Sequence, residues 1–313
     1  MPRGDHAAYA RRMRFGITIL PEHHWTEAAP LWRRAEEYGF DHAWTYDHLV
    51  WAGLPDSPWF GALPTLTAAA TVTSTIKLGT FVSSPNYRHP YVFLRDLLAL
   101  EDISGGRLLC GLGTGGDLDS RILGEEQTVK ERVDRFHEFV EVLDRLFRED
   151  HVDHAGAHYR TVDARTLPGS VQQPRVPFVV AANGPRSLRL AARLGQGWVT
   201  YGKGGDTLDE WWSGIAELSA RLDATEADAG RAEPLDRYLS LDGAPRFSLE
   251  SAGLFVELVG RARELGFTDV VTHWPRAEGV YAGSEAVLDE VAGLLPSLRW
   301  ARPPRTSGHP ART

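Results

Sequence analysis

One joint that occurs three times constrains this chain more than any other feature. Glu37-Tyr-Gly-Phe-Asp-His-Ala-Trp-Thr45, Arg193-Leu-Gly-Gln-Gly-Trp-Val-Thr200 and Glu264-Leu-Gly-Phe-Thr-Asp-Val-Val-Thr272 each pass from a helix end through a glycine into a short apolar run. Glycine just past the last turn is the common helix terminator, because it accepts left-handed backbone without a Cβ clash. A helix-to-strand joint repeated along a chain fits βα units and a parallel sheet rather than hairpins.

Read outward from these joints, the apolar spacing predicts strands over 14–20, 41–46, 76–82, 108–112, 177–182, 197–200, 238–241 and 267–272. Helices are expected over 26–38, 65–74, 90–103, 187–194, 208–222, 248–265 (capped by Ser248) and 284–295. The clearest helix follows Thr128-Val-Lys-Glu131, a capping-box pattern. Behind it Val129, Val133, Phe136, Val140, Leu143 and Phe147 form one apolar stripe. Eight such units in roughly 250 residues fit a single (β/α)8 TIM-type barrel. A two-domain doubly wound fold is the fallback. It is disfavoured because no Gly-x-Gly-x-x-Gly follows the first strand and no Pro/Gly/Ser-rich linker divides the chain. Residues 150–175 are too long for a turn and read as a hairpin inserted between strands four and five. The domain is expected over 13–298, with 1–12 and 299–313 as disordered tails.

Composition narrows the function. The 34 Lys+Arg against 42 Asp+Glu give a net charge of −8, without a dense basic run, which disfavours nucleic-acid and anionic-membrane binding. The lone Cys110 allows neither an internal disulfide nor a cysteine zinc site. No apolar run reaches the ~18 residues of a membrane span, and residues 1–12 lack a signal-peptide core. A cytoplasmic, soluble protein is expected.

In a barrel the chemistry gathers where strands end at their carboxyl side. Those positions read Glu22-His23-His24, Asp47-His48, Ser83-Ser84-Pro85-Asn86, Gly113-Thr114-Gly115-Gly116-Asp117, Asn183-Gly184-Pro185-Arg186-Ser187, Tyr201, Asp242 and His273-Trp274. Asp47-His48 reads two ways: as a general acid–base pair, or as a loop cap beside an imidazole bonded to a carbonyl. Of His23 and His24 at most one faces the site, since neighbours on extended backbone point apart. The glycines of 111–116 let backbone approach an anion or a planar ring, or simply make a tight turn. Ala182–Ser187, where a strand feeds a helix, suits a phosphate, though ordinary helix initiation has the same pattern. His151, His154 and His158 fall in the hairpin and read as a solvated loop, so no metal is expected. Barrel metal hydrolysis and Schiff-base chemistry are both poorly served. The former lacks a His-x-His on strand one, and Lys77, Lys130 and Lys203 are the only lysines.

At this point the motifs resemble the luciferase-like flavin and deazaflavin oxidoreductases. The resemblance rests on residues 14–20, Trp44-Thr-Tyr-Asp-His-Leu49 and Ile76-Lys-Leu-Gly-Thr80 with Arg88-His-Pro90. It continues in Ile103-Ser-Gly-Gly-Arg107 leading to Gly111-Leu-Gly-Thr-Gly115, and in Gln173-Pro before Val179-Val-Ala-Ala-Asn-Gly-Pro185, spanning 14–295. It implies a TIM-type barrel with an insertion, holding a flavin-type ring at its carboxyl end. Members use coenzyme F420 for hydride transfer to or from a small organic substrate, or FMN for oxygenation with a flavin reductase partner. Others are catalytically silent flavin-binding barrels. Asp-His followed by tryptophan, and Gly-Thr-Gly after strand four, look more like the F420 members. The resemblance makes His48 and Asp47 the catalytic pair, with Asp47 orienting the imidazole or meeting the ring edge. It makes Asp47, Phe81, Val82, Thr114, Gly115, Ala181, Ala182, Asn183, Gly184 and Ser187 cofactor-binding. It assigns His23, Trp51, Tyr201 and Trp274 to the substrate, a cis peptide to 80–83, and a homodimer to the assembly. Sugar-phosphate-specific members carry glutamate where this chain has Gly116, a departure that argues against glucose 6-phosphate as substrate.

Overall fold

The computed structural model describes residues 12–300. Eight parallel strands close into a barrel: β1 (Arg14–Thr18), β2 (His42–Thr45), β3 (Lys77–Thr80), β4 (Leu108–Leu112), β7 (Phe178–Ala181), β8 (Gly197–Thr200), β9 (Asp236–Ser240) and β10 (Asp269–His273). The barrel shuts where β10 pairs with β1, Arg14 opposite Asp269. Between β4 and β7 lies the antiparallel hairpin β5 (His151–Ala155) and β6 (Arg160–Arg165), at the expected insertion. The helices are α1 (Trp25–Glu37), α2 (Ala62–Val72), α3 (Pro90–Ile103), α4 (Leu118–Ile122), α5 (Val129–Arg148), α6 (Pro185–Leu194), α7 (Leu208–Asp228), α8 (Ala252–Glu264) and α9 (Glu285–Leu298).

Local chemistry explains most element ends. Thr128 and Glu131 complete the capping box that opens α5. Three expectations shift. α8 starts at Ala252, because Ser251 rather than Ser248 accepts from the Leu254 amide; the Ser248 hydroxyl is taken by Thr272 at 2.6 Å. α2 begins at Ala62 behind Gly61, which offers no side-chain cap to read. The five-residue α4 is too short to show a period, and no sequence pattern pointed to it.

Two cores result from strand alternation. Phe15, Ile17, Leu78, Leu108, Cys110, Leu112 and Phe178 face outward into the helix layer. Cys110 is fully buried, and burial pushes its thiol pKa up, so it packs as an inert apolar group. Inside the barrel, Trp44 packs with Leu109, Val179, Val199, Tyr238 and Val271. Trp44 needs glycine neighbours: a Cβ on Gly79 would lie 2.3 Å from its ring. At the floor, Trp44 Nε1 donates to His42 Nδ1 at 2.6 Å, so His42 Nε2 donates to Asp269 at 3.0 Å. Arg14 grips the same carboxylate at 2.6 and 2.7 Å.

Asp41 pairs with both Arg12 (2.8 Å) and Arg299, residues that the sequence reading put in the tails. Residues 1–11 and 301–313 of those tails lie outside the described residues. No helix among the described residues is long and apolar enough to cross a membrane.

Candidate active site

The carboxyl end of the barrel is roofed by the βα loops. Partly buried Phe81, Val82 and Ala181 rest on the inner core and give the mouth an apolar floor. The Phe81–Val82 peptide is cis, as expected.

Asp47 and His48 leave β2 together but go separate ways. Asp47 is 2% exposed and accepts from the Ser83 hydroxyl, Tyr87 Oη (2.7 Å) and Arg88 Nη2 (2.7 Å). It clamps the end of β2 to the loop after β3. Burial and the nearby Asp47 charge both raise the Tyr87 phenol pKa. Burial would lower that of Arg88, but Asp47 and Tyr87 outweigh it and keep the guanidinium charged. Asp47 therefore does not orient the imidazole. That carboxylate is Asp119 of α4, 1% exposed, whose Oδ2 lies 2.8 Å from His48 Nδ1 while Oδ1 accepts from the Leu49 amide at 2.7 Å. A carboxylate only accepts, so neutral His48 carries its proton on Nδ1. Nε2 has no hydrogen-bond partner among the described residues and is left for a ligand.

The glycine loop after β4 packs closely on the loop after β3. Gly115 has φ +67°, and a Cβ there would meet Asn86 Nδ2 at 2.6 Å and Ser84 Cβ at 2.7 Å. Beside it Ser84 Oγ and Asn86 Oδ1 are buried without partners, as is Arg88 Nη1 farther along the same segment, while Asn86 Nδ2 donates to the Gly116 carbonyl at 2.6 Å. Unpaired buried polar atoms are costly unless a ligand or water meets them. Thr114 is half-buried at the same rim.

At the end of the neighbouring strand β7, Ala182 is buried and Gly184 opens α6 without a side-chain cap, leaving first-turn amides free. Ser187 is buried in that first turn. Asn183 is committed within the protein: Nδ2 donates to the Gly202 carbonyl and Oδ1 accepts from Thr200, both at 2.8 Å.

Of the residues assigned to the substrate, Trp51 stands in an aromatic wall, stacked on Tyr281 (5.9 Å, 9°) and edge-on to Tyr46 (5.1 Å). Tyr201 is 64% exposed, and His23 is half-buried after β1. Trp274 does not face the mouth. It is buried against Tyr38 and Arg34 of α1, with Nε1 3.3 Å from Glu285. Its neighbour His273 takes the inward place, as alternation at a strand end requires. His273 Nδ1 lies 2.7 Å from Asp242 and Nε2 2.8 Å from Tyr46 Oη. Asp119, Tyr46 and Tyr281 had no sequence signal marking them as site residues. In the hairpin, His154 is tied to Glu138 (2.9 Å) and His151 to Asp163.

The chain is thus an eight-stranded parallel barrel whose carboxyl end carries an aromatic wall, an apolar patch behind a cis peptide and an imidazole held by a carboxylate. The profile of the luciferase-like monooxygenases matches residues 13–241, and the chain belongs to this luciferase-like family. It is 30% identical to an F420-dependent glucose-6-phosphate dehydrogenase of Beutenbergia cavernae, over 85% of this chain and 91% of that one. It is also 30% identical to an F420-dependent hydroxymycolic acid dehydrogenase of Mycobacterium tuberculosis, over 85% of this chain and 76% of the relative. In structure it resembles the coenzyme F420 dependent tetrahydromethanopterin reductase of Methanopyrus kandleri. That match has a TM-score of 0.74 at 20% identity and covers 92% of this chain and 99% of that one.

Proposed function

We propose that the protein is an oxidoreductase that transfers a hydride between coenzyme F420 and a small organic substrate carrying a hydroxyl or carbonyl group. The observation that carries this reading is His48, fixed through Nδ1 by Asp119 with Nε2 open, at the same end of the barrel as the floor of Phe81, Val82 and Ala181.

The residues suit such a cofactor. The apolar floor suits a planar ring, and the unpartnered Ser84 and Asn86 atoms beside Gly115 offer polar contacts. The uncapped start of α6, with Gly184 and Ser187, offers amides to a phosphate. When bound, F420 supplies the carbon that takes up or releases the hydride. His48 exchanges at Nε2 the proton that accompanies it, and Asp119 keeps the imidazole in the tautomer that can do so. Such proton transfer is worth ~10²–10⁴ in rate.

Glucose 6-phosphate is not favoured as substrate, despite the relatives' names. A phosphate wants unengaged cations, yet Arg88 is bound to Asp47, Arg276 to Glu22 (2.8 and 2.9 Å) and Lys203 to Glu217. The same reading takes the enzyme as a cytoplasmic homodimer. With F420 rather than FMN, it needs no flavin reductase.

Titrating the purified protein with F420 and with FMN, and following the fluorescence of each, tests this. Saturable quenching of F420 is expected. Binding of FMN alone would overturn the reading in favour of oxygenation with a reductase or of a silent flavin-binding barrel, and binding of neither would overturn all three.

A further inference from the structure

A second proton-holding unit begins beside His48, whose ring is edge-on to Tyr46 at 6.3 Å. Asp242, His273, Tyr46 and Tyr281 form one hydrogen-bonded chain: Asp242 Oδ2 to His273 Nδ1, 2.7 Å; His273 Nε2 to Tyr46 Oη, 2.8 Å; Tyr46 Oη to Tyr281 Oη, 2.9 Å. Its polarity can be worked out. Asp242 accepts the Ser248 amide on Oδ1 (2.8 Å) and the His273 amide on Oδ2 (2.9 Å), so it is held as an acceptor. His273 must then donate from Nδ1, which leaves Nε2 to accept from Tyr46. Tyr46 in turn accepts from Tyr281. With His273 neutral, the Tyr281 oxygen therefore presents only lone pairs to the mouth. With His273 protonated, every hydroxyl in the chain reverses and Tyr281 presents its proton.

The setting of Tyr281 supports a built role. Its backbone is left-handed (φ +59°), a conformation that bulky side chains rarely adopt. It is held there by the loop after β10, where Arg276 donates its amide to the Tyr281 carbonyl at 2.9 Å and pairs with Glu22. Its ring is stacked between His273 (3.8 Å, 10°) and Trp51. The groups facing His273 are Asp242 from the turn after β9, Tyr46 from β2 and Tyr281. The Arg276–Glu22 pair flanks the loop, and the nearest other titratable pair is His48–Asp119, edge-on to Tyr46.

We propose that Tyr281 is a second acid–base group of the site, meeting the substrate oxygen, with His273 as the proton store behind it. This rests on the oxidoreductase reading above. Oxidising a hydroxyl by hydride transfer releases one proton from the substrate oxygen, and a ring that receives the hydride takes up one proton. Tyr281 would receive the first, and His48, when protonated at Nε2, would supply the second. As the C–H hydride leaves for F420, the hydroxyl proton passes to Tyr281 as the Tyr281 proton passes to Tyr46 and the Tyr46 proton to His273 Nε2. The O–H bond is broken, a C=O bond forms, and an imidazolium is left against Asp242. Carbonyl reduction runs the same transfers backward.

The wiring is testable without cofactor or substrate, by NMR of the whole chain labelled with 15N-histidine and 13Cζ-tyrosine. Neutral His273 should be the Nδ1–H tautomer, and across a pH series the Tyr281 Cζ shift should move together with the His273 ring nitrogens. In Tyr46→Phe that coupling should fall to what the stacked imidazole transmits directly to the Tyr281 ring. An Nε2–H tautomer, His273 nitrogens that stay unchanged across the series, or coupling of undiminished size in Tyr46→Phe overturns the proposal. In turnover with F420 and a panel of primary and secondary alcohols, Tyr281→Phe should lower kcat at least about tenfold and leave F420 affinity within about twofold. A loss confined to KM overturns the acid–base role. Failure of the wild-type protein to bind F420 counts against the oxidoreductase reading, and the NMR result still decides the wiring.

Discussion

His48 and Asp119 stand 71 residues apart in the chain and 2.8 Å apart in space. Asp119 comes from the short α4, whose position over the mouth fixes which nitrogen of His48 is free. His48→Ala should keep F420 binding with modest loss and lower turnover at least about tenfold, the low edge of what acid–base catalysis supplies. Asp119→Asn should be nearly as damaging. The amide can present N–H to Nδ1, which moves the imidazole proton to Nε2, the wrong tautomer for a base. Steady-state kinetics with F420 titrations check both. Turnover retained in His48→Ala with only affinity lost would make His48 a packing residue.

Asp47 is expected to act on stability. Removing it in Asp47→Ala leaves Arg88 buried beside a phenol with no counter-charge, and breaking a buried pair from one side costs about 3–5 kcal/mol. Urea unfolding should show the midpoint falling with the slope unchanged. A midpoint equal to wild type would show that solvent reaches Arg88.

The Arg14–Asp269–His42 cluster at the barrel floor predicts an acid limb. Burial alone would raise the Asp269 pKa, but the hydrogen bonds and charges of Arg14 and His42 outweigh it and hold it below its usual value. A lowered folded pKa means that the unfolded chain takes up the proton first. The stabilisation is therefore complete above about pH 4 and is lost as the pH falls through the folded pKa below that. Asp269→Asn should cost about 2–3 kcal/mol at pH 7, after discounting for solvent around Arg14, and should flatten the decline in acid. Chemical denaturation at several pH values below neutrality measures it. An unchanged acid limb would place the titrating group elsewhere.

The barrel was legible because its signals are local. Pro90 and the Ser104-Gly105-Gly106 stop bracket α3 as expected, and all five residues of β4 are buried as its apolar run suggested. Where two equivalent signals competed, pattern could not choose: Ser248 and Ser251 both look like caps, and only Thr272, on the adjoining strand β10, decides between them. The site was legible by its strand ends and illegible in its partners. Asp47-His48 drew attention as neighbours, yet extended backbone sends neighbours apart, to Arg88 and to Asp119. The same parity misplaced Trp274 and left His273 without a role. Tyr281 lies beyond the last strand in a loop that shows no period at all.

The glycine loop offers a matched pair of variants. Gly115 has φ +67°, and an added Cβ would come within 2.6 Å of Asn86 and 2.7 Å of Ser84. Neither neighbour can retreat freely, since Asn86 is tied to the Gly116 carbonyl and both side chains are buried. Gly116 lies one residue on, has no atom within 4 Å of an added Cβ and does not need left-handed backbone. Gly115→Ala should therefore cost ~1–3 kcal/mol for the strained backbone and push the loop off Ser84 and Asn86. Because those residues carry unpartnered polar atoms in the mouth, F420 affinity should fall with it. Gly116→Ala should change stability by no more than ~0.5 kcal/mol and leave affinity near wild type. Thermal unfolding and fluorescence titration of the two proteins side by side make the comparison. Equal affinity in both would show that the cradle beside Gly115 does not touch the cofactor.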